Sequence, residues 1–224
     1  MKNSFLVLIL VINSIYAFGQ EIRAGINYDY MYAKQWDKAI QTYNFSRPFL
    51  SEKQPLLMNG LSATGSYIVK SAKNTKHGIN LAYKYYKSEA ENENLNAILN
   101  LHFINPGYIF HYENEDKPNR FYFDGMISAV LGGLFRNVNG EPLEDDETAF
   151  KAFGIGGEVS LRTGYVFKLS GNTFLSPFIG VGYTPYYHSP NSEAILNQTK
   201  GLTGKNSTGI LNIQAGMSIH FKKS

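Results

Sequence analysis

The chain has 224 residues, enough for one domain with a sizeable core but few for two. It contains no cysteine, which excludes disulfide bridges, thiolate metal sites and a cysteine nucleophile. A formal net charge of +3, with Lys and Arg scattered along the chain, does not suggest a nucleic-acid-binding protein. Charged residues make up 17%, below the roughly 25% of ordinary soluble domains, whereas aromatic residues reach 14%. These aromatic side chains need an apolar environment, yet a mean hydropathy of −0.24 argues against helical membrane spans.

The N-terminus has the pattern of a secretory signal peptide. Lys2 is followed by an apolar run over residues 5–12 and then by Ala17 and Gly19, which lie three and one residues before a cut after Gly19. A buried N-terminal helix is the alternative, but no later segment offers it a partner. We therefore expect residues 1–19 to be removed and residues 20–224 to form the mature domain. No later apolar run approaches the ~20 residues that a transmembrane helix needs.

Hydrophobic residues alternate with polar ones along most of the mature chain. Between residues 154 and 169, Ile155, Val159 and Leu161 share one parity, and Glu158 and Arg162 the other. A period of two indicates β-strands. The pattern predicts eight strands, at residues 22–32, 57–70, 77–87, 97–112, 120–136, 154–169, 173–187 and 207–221.

The connections between the predicted strands alternate between short and long. Short turns are expected at 71–76, 113–119 and 170–172, and mostly long loops at 33–56, 88–96, 137–153 and 188–206. This alternation is typical of an all-β, up-and-down antiparallel barrel in an outer membrane, with long loops outside and short turns in the periplasm. Two features disturb the strands: parity slips near Asn105-Pro106, which suggests a bulge, and Pro177 removes a hydrogen-bond donor from the seventh strand.

Charge decides which strand face meets lipid. A lumen of eight strands is only just wide enough for side chains, so the many aromatic residues are expected outside. A secreted soluble barrel, with its apolar set inside, is the alternative. The membrane barrel places these charged residues in the lumen: Arg23, Asp29, Lys84, Asp124, Glu158 and Arg162. It places these tyrosines in a girdle at the outer interface: Tyr28, Tyr30, Tyr83, Tyr85 and Tyr183.

The last predicted strand carries a specific motif. Gln214, Gly216, Ile219 and Phe221 form a pattern of polar residue, glycine, hydrophobic residue and aromatic residue. This pattern resembles the C-terminal assembly signal of outer-membrane barrel proteins, although Lys222-Lys223-Ser224 follows the aromatic residue, where the family usually stops. The whole mature chain is similar to the small eight-stranded barrels of Gram-negative bacteria, such as the transmembrane part of outer-membrane protein A. The resemblance implies a location in the outer membrane, contact with its lipids and lipopolysaccharide, and recognition by the barrel assembly machinery.

The predicted lumen contains charged side chains, and we expect them to close it. Asp29, Lys84, Glu158 and Arg162 are expected to pair across the lumen, since buried charges are tolerated only when paired. If residues 137–153 close a symmetric hairpin, Ser128 lies opposite Arg162, and Gly132 opposite Glu158. If residues 170–172 close the next hairpin, Gly180 also lies opposite Arg162. Loosely hydrated lumen residues without a network are the alternative.

Catalytic and metal-binding motifs are scarce. No catalytic residue, cofactor or resident metal is predicted, and the protein is not expected to be an enzyme. A lipid A deacylase-like hydrolase using His188, Ser189 and Glu193 is one alternative function, and a narrow transporter of small hydrophobic molecules is another. Acidic residues in two outer loops also leave open a divalent-cation site: Glu89, Glu91, Glu93, Glu141, Glu144, Asp145, Asp146 and Glu147.

The first outer loop is unusually apolar for exposed sequence. It contains Trp36, Tyr43 and Phe45, which suggest either a lid over the barrel mouth or a docking site for a protein partner. The lid is the favoured alternative. The sequence thus predicts an outer-membrane barrel with a structural or interaction role in the cell envelope and a plugged lumen.

Overall fold

The computed structural model describes residues 21–46, 53–92, 95–140, 149–188 and 207–222; the predicted signal peptide lies outside these ranges. All eight predicted strands are present. Their bounds are β1 (Glu21–Ala33), β2 (Asn59–Lys70), β3 (Thr75–Asn92), β4 (Leu95–Glu113), β5 (Arg120–Gly140), β6 (Ala149–Ser170), β7 (Thr173–His188) and β8 (Ser207–Lys222).

The strands form one closed antiparallel barrel. Each strand pairs with its neighbour in sequence, and β8 pairs with β1 from Glu21–Lys222 to Ala33–Ile210. Closure satisfies the backbone hydrogen bonds within the barrel, which is what a hydrocarbon environment demands of a sheet. The predicted fold class is therefore confirmed.

Alternation sets an apolar outer face against a polar inner face. On β1 the inward residues Asn27 and Asp29 are buried, whereas the outward Ile26 and Tyr28 are 69% and 50% exposed. The same alternation runs along β8. All six charged residues predicted for the lumen are buried. The outer surface is thus an apolar belt of the kind that faces lipid.

The first outer connection contains a helix, α1 (Lys34–Ser46), where the sequence suggested a loop. Trp36 and Ile40, one helical turn apart, are both buried. Packing of this short apolar stripe stabilises the helix, since a segment of 13 residues is only marginally helical on its own. In the described parts of the chain, no helix is long and apolar enough to cross a membrane.

Two expectations about β4 are wrong. The predicted bulge at Asn105-Pro106 is absent, because the register between β3 and β4 runs without a shift from Thr75–Tyr112 to Asn92–Leu95. The apparent parity slip arises because Leu101, Phe103 and Ile109 point into the lumen, so both faces of β4 are partly apolar. The predicted long loop at 88–96 is also absent, since β3 and β4 continue to Asn92 and from Leu95.

The hairpin between β5 and β6 has a different register from the symmetric one. Asp124 lies opposite Arg162, and Ser128 lies opposite Glu158, whereas Gly132 pairs with Gly154. The symmetric hairpin fails because β6 begins at Ala149, five residues before its predicted start, whereas the pairing of β5 with β6 ends at Asn137, one residue beyond the predicted end of β5. The expected placement of Gly180 opposite Arg162 is observed.

Because Gly216 lies at the seam that closes the barrel, we expect its replacement by a larger residue to destabilise the protein. A Cβ atom there would lie 2.4 Å from the carbonyl oxygen of Ile26 and 2.9 Å from the Cα of Asn27, across the β1–β8 seam. We expect Gly216→Val to lower the free energy of unfolding by about 1–3 kcal/mol, because backbone atoms must shift to accept the side chain. Urea titration of the detergent-folded protein, followed by heat-modifiable gel migration, measures this change. The matched control is Ala215→Val on the lipid-facing side of the same strand, and equal losses in both variants would contradict the prediction.

Candidate functional site

The lumen is filled along its length. The six predicted lumen charges are between 0% and 7% exposed, although each lies on the inner face of the barrel. A water-filled pore would leave such side chains accessible. The contents fall into three zones, which we call the lower charged cluster, the central polar layer and the outer apolar cap.

The central polar layer contains the four predicted network residues together with Gln214. Lys84 on β3 and Glu158 on β6 form an ion pair, with Nζ 2.5 Å from Oε2. The same Glu158 oxygen accepts hydrogen bonds from Asn105 Nδ2 and Thr184 Oγ1, each at 3.2 Å. Glu158 is therefore held by groups from three other strands, as a carboxylate in a narrow lumen requires.

Arg162 occupies the other side of this layer. Its Nε donates to Gln214 Oε1 at 3.1 Å, and its guanidinium carbon lies 4.9 Å from the ring centre of Phe178. Gly180 provides the space, because a Cβ atom there would lie 2.8 Å from Arg162 Cγ. The cation is thus accommodated by an amide and an aromatic ring, and no carboxylate of the described residues forms an ion pair with it.

Asp29 was predicted to pair with a cation across the lumen, but its carboxylate contacts a neutral side chain instead. It accepts a hydrogen bond from the Ser62 hydroxyl, whose oxygen in turn accepts one from Asn27 Nδ2 at 2.6 Å. Within the described ranges, no cationic nitrogen lies within 4.0 Å of its carboxylate. Of the four predicted network residues, the structure brings only Lys84 and Glu158 into direct contact.

The lower charged cluster lies at the end of the barrel with the short turns. Its members are Glu21, Arg23, Lys76, His111, Glu113, Arg120, Asp124, His220 and Lys222.

Lys76 organises one side of this cluster. Its Nζ lies 2.9 Å from Glu21 Oε2 and 2.5 Å from Glu113 Oε1. Glu113 also accepts from Arg120 Nε at 2.7 Å and lies 2.5 Å from Lys222 Nζ. These contacts link five strands and close the lower end with alternating charges.

Arg23 organises the other side. It forms an ion pair with Glu21, and its Nη1 lies 3.3 Å from Asp124 Oδ1. His111 Nδ1 lies 2.6 Å from the same Asp124 oxygen. Asp124, which sequence analysis placed in the lumen without a partner, therefore belongs to this lower cluster.

Most members of the lower charged cluster were not predicted, although the parity of their positions contained a signal. His111 and Glu113 share the inward parity of Ile109, and Lys76 shares that of Asn80. Lys222 departs from the usual end of the C-terminal motif, and the structure shows its amine inside the cluster. The extra lysine thus has a structural role in the lumen.

The outer apolar cap fills the opposite mouth. Trp36 of α1 stacks on Phe103, with ring centres 6.2 Å apart, and meets Tyr186 edge-on at 5.6 Å. The remaining buried members are Met31, Ala33, Ile40, Leu57, Tyr86, Leu101, Val130 and Ile210. Trp36 thus belongs to a lid seated in the barrel.

The other two residues predicted for the lid or docking site differ from Trp36. Phe45 is 88% exposed at the far end of α1, and Tyr43 lies in α1, although its side chain is outside the described set.

Near the start of the helix, burial raises the pKa of the Asp37 carboxyl, and a hydrogen bond with the backbone of Ala33 opposes this shift.

One group of residues has distances typical of a hydrolase triad. Ser218 Oγ lies 2.8 Å from His220 Nε2, and His220 Nδ1 lies 3.0 Å from Glu21 Oε1. The histidine–glutamate contact has poor hydrogen-bond geometry, since Nδ1 has no aligned acceptor. His220 is also fully buried, and Glu21 is shared with Arg23 and Lys76. This group therefore stabilises the lower cluster and offers no approach for a substrate.

The alternative chemical sites lie largely outside the described residues. Ser189, Glu193 and the acidic residues from Glu141 to Glu147 are not covered, and His188 is described only as the end of β7. Glu89 lies 2.5 Å from Lys87, so its carboxylate is already paired. Among the described residues, no group of three His, Asp or Glu side chains is arranged to hold a metal ion.

The four C-terminal motif residues divide between the two faces of β8. Gln214 and Gly216 face the lumen, whereas Ile219 and Phe221 are 41% and 51% exposed on the lipid-facing side. Phe221 pairs with Ile22 at the seam between the first and last strands. Recognition of this strand by the assembly machinery stays a prediction.

Comparison with known proteins supports the architecture. No model of a known protein family matches the chain, and no curated protein matches it in sequence. Among solved structures, Neisserial surface protein A matches with a TM-score of 0.51 and 12% identity, over 91% of this chain and 96% of that one. The chain has the fold of the small outer-membrane β-barrel proteins. The predicted resemblance is thereby confirmed as one of fold, and the predicted location in the outer membrane rests on that fold.

Two further structures cover most of this chain with lower scores. Ail of Yersinia pestis, solved with the heparin analogue sucrose octasulfate, has a TM-score of 0.44 and 10% identity, over 91% of this chain and 99% of that one. OprG of Pseudomonas aeruginosa has a TM-score of 0.36 and 11% identity, over 92% and 97%. At such identities the likeness is one of fold.

The central ion pair predicts a strong effect of removing one partner. We expect Lys84→Met to lower the free energy of unfolding by about 3–5 kcal/mol, because Glu158 is left as an unpaired buried charge. The double variant with Glu158→Gln should recover most of this loss. Urea unfolding in detergent measures both. The control is Lys73→Ala, which removes an exposed pair with Asp116 and should cost less than about 1 kcal/mol. A loss in Lys84→Met no larger than in this control would contradict the prediction.

Proposed function

We propose that this outer-membrane barrel is a sealed, non-enzymatic component of the cell envelope that acts through its outer surface. The filled lumen is the observation that carries the proposal. A barrel that is closed by ions at one end and by an aromatic lid at the other has no path for solutes. Its function must then be carried out by the lipid-facing surface and by the parts of the chain beyond the membrane.

The strands themselves provide structure beyond the membrane. A β-strand crosses the bilayer in about 9–11 residues, whereas β5 has 21 and β6 has 22. On one side of this region, β3 continues from Lys87 to Asn92 after its last pairing with β2, Gly60 with Tyr86. The β3–β6 sheet therefore forms an ordered wall above the outer mouth.

The lid supplies an exposed aromatic residue beside this wall. Trp36 and Ile40 anchor α1 in the barrel mouth, and Phe45, which follows Ile40 by five residues, is exposed. Aromatic side chains are enriched at protein interfaces relative to the rest of the surface. This geometry supports an interaction role more directly than the narrow transporter, which needs an open lumen.

The sealed lumen predicts an absence of conductance. We expect the purified protein, inserted into planar lipid bilayers, to show no steady ion current, because its lumen charges are buried and inaccessible to water. A general porin in the same bilayers is the positive control for detection. Reproducible unitary currents from the folded protein would contradict the sealed barrel.

An interaction role predicts contact between Phe45 and a partner in the intact cell. We expect a photo-crosslinkable amino acid at Phe45 to give one dominant adduct with a defined envelope protein. The same substitution at Lys73, 70% exposed in its side chain and located in a turn at the opposite end, is the control. The adduct should disappear when the partner's gene is deleted. Identical adducts from both positions, or none from Phe45, would count against the proposed interaction.

A further inference from the structure

Aromatic residues of the outer apolar cap form a slot inside the barrel mouth. Phe103 and Tyr186 meet edge-on with ring centres 5.4 Å apart, and Tyr86 meets Phe103 in the same way at 6.1 Å. The indole ring of Trp36 lies against two of these rings, stacked on Phe103 and edge-on to Tyr186. Stacked and edge-on contacts are the ones that aromatic rings prefer. The chain therefore seats a planar aromatic group of its own in a slot with aromatic walls.

Two glycines on the inner face of the barrel make room for this slot. A Cβ atom at Gly132 would lie 2.7 Å from the ring of Phe103. A Cβ atom at Gly154 would lie 2.6 Å from the ring of Tyr186. Both rings therefore approach the backbone of a neighbouring strand more closely than a side chain there would allow. The space beside them is left for the ring of Trp36.

The lid is attached to the barrel mainly through side chains. Among the described residues, no backbone hydrogen bond joins α1 to β2–β8. The apolar anchors are Trp36 and Ile40, and Asn44 exchanges two hydrogen bonds with the backbone of Gln54, at 2.8 and 2.9 Å. The barrel beneath is closed by its own strand pairing. The helix can therefore leave the mouth without breaking a hydrogen bond between strands.

A buried hydroxyl beside the slot lacks a partner. Thr208 pairs with Tyr186 in the β7–β8 ladder and lies on the inner face, two residues from the cap member Ile210. It is 3% exposed, and its Oγ1 has no hydrogen-bond partner among the described residues. Buried hydroxyls are normally hydrogen-bonded. Thr208 thus offers a hydrogen bond to a polar atom of a molecule bound in the slot.

We propose that this slot binds a small planar aromatic molecule with one polar ring atom, such as indole, and that Trp36 occupies it in the absence of the ligand. The chain itself demonstrates the fit, because an indole ring is the group seated there. The ligand enters when α1 moves outward and takes over the contacts of Trp36 with Phe103 and Tyr186. The central polar layer and the lower charged cluster lie beneath the slot. The site is therefore blind, and the barrel stays sealed below it.

Displacement of the lid can be measured in the unmodified protein. Trp36 is the only tryptophan of the chain, so labelling with fluorotryptophan gives a single fluorine NMR resonance that reports on the lid. Indole is the probe, and cyclohexylmethanol, which is of similar size but not aromatic, is the comparison. We expect indole to convert the resonance of the seated ring into that of an exposed ring in a saturable way, and cyclohexylmethanol to leave it unchanged. No conversion by indole, or equal conversion by both molecules, would overturn the proposal.

Removal of the internal occupant identifies the site. Trp36→Ala empties the slot and should bind indole with a Kd roughly tenfold or more below that of the unmodified protein, measured by calorimetry, because only the fraction with a displaced lid is competent in the latter. The matched control is Ile109→Ala, which removes a buried apolar side chain outside the cap and should bind indole as the unmodified protein does. Heat-modifiable migration confirms that each variant is folded. Equal affinities of Trp36→Ala and the control would overturn the slot as the site.

A further substitution separates an aromatic site from a plain cavity. In the Trp36→Ala background, Phe103→Leu keeps an apolar side chain but removes the stacking ring, so the affinity for indole should fall severalfold. Phe174→Leu, at the opposite end of the lumen, is the control and should leave the affinity unchanged. An unchanged affinity after loss of the Phe103 ring would overturn the aromatic slot. These outcomes depend neither on a partner at Phe45 nor on conductance, so they are distinct from the tests of the proposed function.

Discussion

Closure of the sheet is the constraint on which the rest of the structure depends. A β-sheet in hydrocarbon cannot leave an edge unpaired, so β8 must return to β1 along its full length. Once the sheet is closed, each side chain faces either lipid or a lumen of fixed width. With eight strands that lumen holds side chains and little else, and every charge inside must find a partner or an aromatic neighbour.

This constraint explains why the lumen is organised in layers. Near the short turns, ions of both signs lie within hydrogen-bonding distance of one another, and Lys76 alone contacts three carboxylates. In the middle, glycine and serine leave room for larger groups, as Gly180 does beside Arg162. Towards the outer mouth the contents become apolar, and a helix supplies Trp36 where the strands leave space.

The parity of the strands could be predicted from the sequence because it is a local property. The alternation around Glu158 and Arg162 gives the strand and its inward face without knowledge of any partner. Register is not local, which is why Ser128 and Gly132 were assigned to the wrong neighbours across the β5–β6 hairpin. The predicted ion network was incomplete for the same reason, since the partners of Asp29 and Arg162, which are Ser62 and Gln214, depend on the positions of several strands around the lumen.

The remaining errors arose where two environments look alike in sequence. Leu101 and Phe103 are apolar because they meet the lid, but apolar residues on both faces of a strand imitate a bulge. The helix α1 was read as a loop because its stripe is short and its stability comes from the barrel mouth. Both errors have one source, which is that the outer half of the lumen is filled with apolar side chains rather than ions. Because apolar side chains take the place of ions there, the outer end of the barrel can pack against the apolar side of α1. If ion pairs closed the outer mouth instead, they would be exposed to water and salt, where such pairs contribute little to stability.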